Sequence, residues 1–213
     1  MKAKTKQPFN KNGRKMLLPT LKRLHQCHAV VVGAGAMGRA VAILLASLGV
    51  RHMSLYDPAK VTRKHLTQGF MDFDIGSAKV DAVANSAHQL NPHMELLTYR
   101  SRFLLSHLQE WRLGYRNAVF LCGGTLPSHK SSGSWAKQTA HFICEARLGA
   151  DEIRLLTSTK PPYEINETAL VTDKPDRSTS DLVMANLSAC LMVYLFARWL
   201  QNLPVSDQHF RLC

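Results

Sequence analysis

Short apolar blocks alternate with polar stretches along this chain, and the spacing inside each block predicts the element it forms. Residues 28–32, a His and an Ala followed by three Val, read as a buried strand over 29–32. A glycine turn follows, Gly33-Ala34-Gly35-Ala36-Met37-Gly38, and an apolar helix over 37–48 leaves it, stopped by Gly49. A second apolar run over 52–56 gives the next strand and ends on Asp57. The polar loop 57–70 is too long for a plain connector and reads as a binding loop. Downstream, the pattern predicts a helix over 77–90, a strand over 95–99, a helical stretch over 102–109 and a buried parallel-type strand over 118–122. A helix over 134–148 stopped by Gly149, strands over 152–157 and within 161–172, an exposed loop over 173–181 and an apolar helix over 182–200 complete the series. Strands alternating with helices predict an α/β fold, a doubly wound and mostly parallel sheet covered on both faces. Residues 1–26 read as a basic tail with a short helix, and 27–213 as one domain.

The turn after the first strand carries the chemistry. Gly33 suits a tight turn, Gly35 lets the backbone approach a phosphate, and Gly38 lets the helix pack closely on the strand. At Ala36 and Met37 the helix start offers unpaired N–H groups and the positive end of its dipole to an anion. Asp57, about twenty residues on, is placed to accept hydrogen bonds from a ribose. Together these features predict a nucleotide-binding βαβ unit.

The charge balance points the same way. Lys and Arg number 27 against 15 Asp and Glu in 213 residues, a formal net charge of +12 that favours anionic partners. No acid precedes Asp57, while Lys2, Lys4, Lys6, Lys11, Arg14, Lys15, Lys22 and Arg23 crowd the start. A solvated tail is the plain expectation there, and nucleic-acid contact the alternative. Met16-Leu17-Leu18 before Pro19 is too short for the apolar core of a signal peptide. Five scattered cysteines without a CxxC pair predict free thiols in a reducing, cytoplasmic compartment. His25, Cys27 and His28 have no second cluster to complete a zinc site. Residues 182–200 are apolar enough to resemble a membrane span but carry Asn186, Ser188 and Arg198, so a buried helix over the sheet is expected and no membrane partner. Cys122 sits at the carboxyl edge of the sheet, either as a buried structural thiol or as a transfer nucleophile if its thiolate is stabilised.

Beyond the glycine turn, Ser47-Leu48-Gly49-Val50, Leu55-Tyr56-Asp57, Val61, Leu66, Phe70, Asp74-Ile75-Gly76, Ala78-Lys79 and Leu90-Asn91-Pro92 fall at set intervals. In these residues the chain resembles the HesA/MoeB/ThiF family, relatives of the ubiquitin-activating enzymes, closely over 28–100 and loosely to the end. The resemblance implies a Rossmann-like fold that binds ATP and magnesium. It implies adenylation of the C-terminal carboxylate of a ubiquitin-like or sulfur-carrier protein, usually by a homodimer. Gly33, Gly35, Ala36, Met37 and Gly38 would then cradle the nucleotide, Asp57 would hold its ribose and Lys79 would contact its phosphates. Holding a weakly nucleophilic carboxylate in line with the α-phosphate, and neutralising the departing pyrophosphate, is the work such groups perform.

The chain also departs from the family pattern. Ala59 stands where a second acid follows the strand, and the family's Asn-x-x-Arg-Gln element, which reaches the phosphates, falls on His65, Gln68 and Gly69. The magnesium-binding acid falls near Gly124, in Leu121-Cys122-Gly123-Gly124-Thr125, which holds no carboxylate; Asp72, Asp74 and Asp173 lie on other loops. The paired CxxC site is missing, as is a cysteine on the crossover loop, and Arg14 is the one residue matching an arginine lent to a partner subunit's site. Three readings stay open. One is an adenylating enzyme. The second is a nucleotide-binding scaffold without adenylation, alone or as half of a heterodimer. The third is an NAD-dependent oxidoreductase using the same glycine turn. Loop 157–181 is expected to form the wall over which a partner's tail lies.

Overall fold

The computed structural model of this chain describes residues 21–103, 114–122, 140–149, 152–159 and 179–211. In order these form α1 (Leu21–His25), β1 (Cys27–Val32), α2 (Ala36–Leu48), β2 (His52–Tyr56), two short 3-10 turns (Arg63–Gln68 and Asp72–Asp74), α3 (Lys79–Leu90) and β3 (Glu95–Tyr99). Then come β4 (Arg116–Leu121), β5 (Phe142–Leu148), β6 (Glu152–Ser158), α4 (Thr179–Leu200) and β7 (Gln208–Arg211). The strands line up as one sheet in the order β3-β2-β1-β4-β5-β6-β7. β3, β2, β1, β4 and β5 run parallel, and β6 and β7 return antiparallel. The sheet is therefore α/β and mostly parallel, as the alternating pattern predicts.

Burial on both faces explains the β-branched run of β1. Ala29 and Val31 join the main core with α2, α3 and α4, whereas Val30 joins a second cluster on the other face with Tyr56, Phe103, Val119, Leu121 and Ile143. No described helix contributes to that second cluster. Coverage of both faces is thus seen only in part among the described residues. α4 lies over the sheet through an aromatic group, Phe120, Phe142, Phe196 and Trp199, with ring centroids 5.3 to 6.0 Å apart. Each such ring, fully buried, stabilises the fold by roughly 1.5–3 kcal/mol. α4 is long and apolar enough by composition to cross a membrane, yet Met184, Ala189, Met192, Phe196 and Leu200 are buried against the protein's own core.

One element differs from its sequence expectation. The helix expected over 134–148 is, from Phe142 to Leu148, the strand β5. Its apolar residues repeat every second position, with Phe142, Cys144, Ala146 and Leu148 toward the main core, while Glu145 and Arg147 pair at 2.8 Å between them. A period of two fits a pleated strand and not a helix. The helical stretch over 102–109 lies largely outside the described residues, as do residues 134–139, the strand within 161–172 and most of loop 173–181. The short edge strand β7 follows a turn at residues 201–207 and has no apolar run to announce it.

β1 opens with a thiol that reports on folding. Cys27 is wholly buried, its Sγ–H donates to the Arg116 carbonyl at 3.0 Å, and burial pushes its pKa from 9.0 up to about 12, with the nearby Arg116 charge pulling the other way. The folded chain thus holds this proton more tightly than the unfolded chain. The stability it contributes is whole below the ordinary thiol pKa and is lost as pH rises from there to about 12. Thermal melts of the parent and of Cys27→Ala should therefore converge as pH rises from 9.0 to about 12, the span from the free thiol value to the buried one. A gap that stays constant over that span would show that the thiol does not titrate on unfolding.

Candidate functional site

The strand order places β1 between β2 and β4, so the chain leaves the end of β1 where neighbouring connections diverge. In sheets of this kind ligands lie outside the carboxyl ends of the strands at such a switch point. The glycine turn occupies that place. Gly33 has φ +93°, which glycine adopts without strain, and its N–H donates to the Tyr56 carbonyl at 2.8 Å. Gly38 is held even more tightly: a Cβ there would stand 1.8 Å from the Gly33 carbonyl oxygen and 3.3 Å from Cys122 Cβ. The close packing expected of Gly38 is therefore a contact of helix against loop backbone and the end of β4.

Gly35 differs in kind. It is the N-cap of α2 with φ −76°, it supplies no capping side chain, and the nearest atom to a Cβ there would be Gln68 Oε1 at 4.0 Å. The helix's first backbone bond runs from Arg39 N–H to the Gly35 carbonyl at 2.8 Å, so the amides of Ala36, Met37 and Gly38 have no intrahelical acceptor. No acid stands in this first turn. Among the described residues, positive dipole, amides without an intrahelical acceptor and space beside Gly35 meet at one point, an arrangement suited to an anion.

Asp57 joins the turn to the next loop. One carboxylate oxygen, Oδ2, accepts from Ala34 N–H and the other, Oδ1, from Ala59 N–H, both at 2.8 Å. Each oxygen keeps a second lone-pair site, so the acid still has acceptor capacity for a ribose hydroxyl. Ala59, where the family pattern has an acid, acts through its backbone: its N–H goes to Asp57 and its carbonyl accepts from Lys79 N–H at 3.0 Å. The loop is thereby bent back onto the start of α3. Lys79 is buried at that start, with its ammonium 6.0 Å from the Phe70 ring centroid.

His65 and Gln68 sit on the 3-10 turn between them. His65 is buried and its Nδ1 accepts from Thr62 N–H at 2.8 Å, so that nitrogen shapes the turn and, when the ring is neutral, the proton lies on Nε2. The Gln68 side chain reaches the glycine loop, and its Oε1 is buried without a hydrogen-bond partner among the described residues. Gly33, Gly35, Ala36, Met37, Gly38, Asp57 and Gln68 thus lie in or against the loops after β1 and β2, the backbone of Lys79 is bonded to the second of these loops, and Arg14 lies outside the described residues. Cys122 lies behind Gly38, and burial pushes its thiol well above the ordinary range, which leaves it protonated and a poor nucleophile.

The sequence pattern does not single out Arg39. It follows Gly38 directly, and its Nη1 lies 3.0 Å from where a Cβ on Gly69 would stand. The signal available in sequence was a cation in the first turn of a helix that has no acid there, against the helix dipole.

The described residues do not assemble a magnesium site of the family type. Among them no three His, Cys, Asp or Glu side chains cluster in a way that could hold a metal. Asp74 uses Oδ2 to accept from Met71 N–H at 2.9 Å, and residues 121–125 contain no carboxylate.

The two helix-side glycines should separate under substitution. Gly38→Ala forces backbone to move and is expected to destabilise the fold by about 3 kcal/mol or more. Gly35→Ala, at a compatible φ and with space around it among the described residues, sets the entropy gain of alanine against glycine's advantage at an N-cap, and should change stability by about 1 kcal/mol or less. Urea unfolding of both variants checks this, and equal losses would contradict the geometry.

Known proteins resemble this chain in family and fold. The ThiF family model matches residues 9–122. Over 102 residues the chain is 29% identical to the adenylyltransferase and sulfurtransferase uba4 of Aspergillus clavatus, covering 45% of this chain and 21% of that protein. Over 82 residues it is 29% identical to the adenylyltransferase and sulfurtransferase MOCS3 of Culex quinquefasciatus, covering 38% of this chain and 19% of that one. The match thus spans about a fifth of the length of these curated relatives. The crystal structure of E. coli MccB with ATP superposes with a TM-score of 0.66 at 14% identity, over 87% of this chain and 59% of MccB, which is a likeness of fold. With the family model matched over more than half of its length, this chain belongs to the ThiF family.

Proposed function

We propose that this protein binds ATP at the loops after β1 and β2 and uses it to adenylate a carboxylate. The observation that carries this reading is the pairing of an uncapped, acid-free helix start with the Asp57 carboxylate, which is bonded to Ala34 N–H at 2.8 Å. The amides of Ala36 and Met37, with Lys79, would meet the phosphates; Asp57 would accept from the ribose; Gln68 would border the same space. ATP would supply the adenylyl group. The chain's own part is to place anionic groups against fixed donors that need no rearrangement, the largest contribution such sites make.

The carboxylate we favour is the C-terminal one of a ubiquitin-like or sulfur-carrier protein, or of a short peptide. Support comes from relatives named as adenylyltransferases and sulfurtransferases, and from a structure of MccB solved with MccA. Assembly as a homodimer, or with a different ThiF-type chain, would let a partner add groups such as an arginine at the position of Arg14. A cytoplasmic setting suits the free thiols.

A second reading, nucleotide binding without turnover, is favoured by one observation: the stretch from Leu121 to Thr125 holds no carboxylate at the place of the family's metal-binding acid. Loss of one such electrostatic group costs on the order of a hundredfold or more in rate. Calorimetry with ATP and magnesium should show one site, weakened about tenfold or more by Asp57→Ala, the loss of a charge-assisted contact. Pyrophosphate exchange on adding a carrier protein or peptide with a free C terminus would establish adenylation; binding with no exchange would establish the second reading. NAD displacing ATP at equal concentration would sink both.

A further inference from the structure

We propose that Arg39 is a phosphate-binding residue of this site, holding the nucleotide's phosphate chain from α2 while position 68, where the family pattern has an arginine, is Gln68. The inference rests on ATP being the ligand, and it adds a residue that the family pattern does not contain.

Three observations converge on Arg39. The first is its setting on the opening turn of α2, one residue after the glycine that packs on the Gly33 carbonyl. A cation at the positive end of a helix, with no acid in that turn, works against the dipole unless an anion sits between them. The second is its reach. The guanidinium crosses to Gly69, where a Cβ would stand 3.0 Å from Nη1, and the absence of a side chain there leaves room for it. Gly69 follows Gln68, so the charge arrives at the segment from which the family pattern supplies it.

The third is the lack of a fixed partner. Arg39 is half-buried, burial lowers its pKa and the Asp74 charge nearby raises it, yet among the described residues its guanidinium has no hydrogen bond or ion pair. A partly desolvated guanidinium without an acceptor is costly, and a planar fork is suited to phosphate oxygens. On the neighbouring turn, Gln68 has a buried amide oxygen with no partner among the described residues, 4.0 Å from the Cβ position of Gly35. Turned about its last torsion, that amide would present its NH2 to the same space. Arginine on one side, amide N–H groups on the other and the open α2 amides below would form three walls around an anion.

The test compares ATP with adenosine on the parent chain, Arg39→Gln and Arg39→Lys, with thermal melts of each protein free of ligand. Arg39→Gln should weaken ATP about tenfold or more, as loss of a charge-assisted contact does, and leave adenosine within about twofold. Arg39→Lys, which keeps the charge but not the fork, should fall between. Unliganded melting temperature should hold steady or rise for Arg39→Gln, because an unfavourable charge is removed from the helix start. ATP binding unchanged in Arg39→Gln overturns the proposal and leaves the nucleotide reading standing. A matched loss of ATP, adenosine and melting temperature also overturns it, since Arg39 would then be structural. A parent chain that binds neither ATP nor adenosine removes the nucleotide reading and this proposal with it.

Discussion

The carboxylate of Asp57, shared between Ala34 N–H and Ala59 N–H at 2.8 Å each, is the interaction on which the site depends. It ties the turn after β1 to the loop after β2, two segments that the parallel register of their strands brings to one edge but does not itself join. Hydrogen bonds to an ionised group contribute about 1.5–3 kcal/mol each, more than neutral ones. With that tie in place, the open amides at the start of α2 point from a fixed platform. Lys79 is drawn in by the same loop, since its N–H donates to the carbonyl of the residue whose N–H Asp57 holds.

Much of this platform was legible in the sequence because its causes are local. Gly33 needs a positive φ and Gly38 needs the absence of a Cβ, and a chain can meet such demands only with glycine. α2 and β1 follow from apolar spacing, and the structure starts them one and two residues earlier than the pattern suggests. What local pattern could not supply is tertiary. β5 was hidden because Ala, Cys and Leu suit either period, and its pairing with β4 and β6 decided the outcome. That His65 would spend Nδ1 on Thr62, or that Ala59 would act through its backbone, depends on how the loop closes.

The departures from the family pattern share an electrostatic theme. An acid is replaced at Ala59, an arginine at Gln68 and a metal-binding acid near Gly124, while Arg39 brings a cation to the glycine loop from the helix side. The chain keeps donors and cations for holding an anion and lacks, among its described residues, the clustered carboxylates that would hold a metal beside it. On the reading proposed above, binding and turnover are separable, because the first depends on groups that are present and the second on groups whose family positions are vacant of acid.

On the reading proposed above, the amides opening α2, braced by Asp57, seat an anionic ligand. Titrating isotopically labelled protein with ATP and following backbone amide resonances tests it most directly. The largest shifts should fall on Gly35, Ala36, Met37 and Gly38 and on Asp57, with little change at β6 and β7. Shifts centred elsewhere, or none at these amides at saturating ATP, would contradict it.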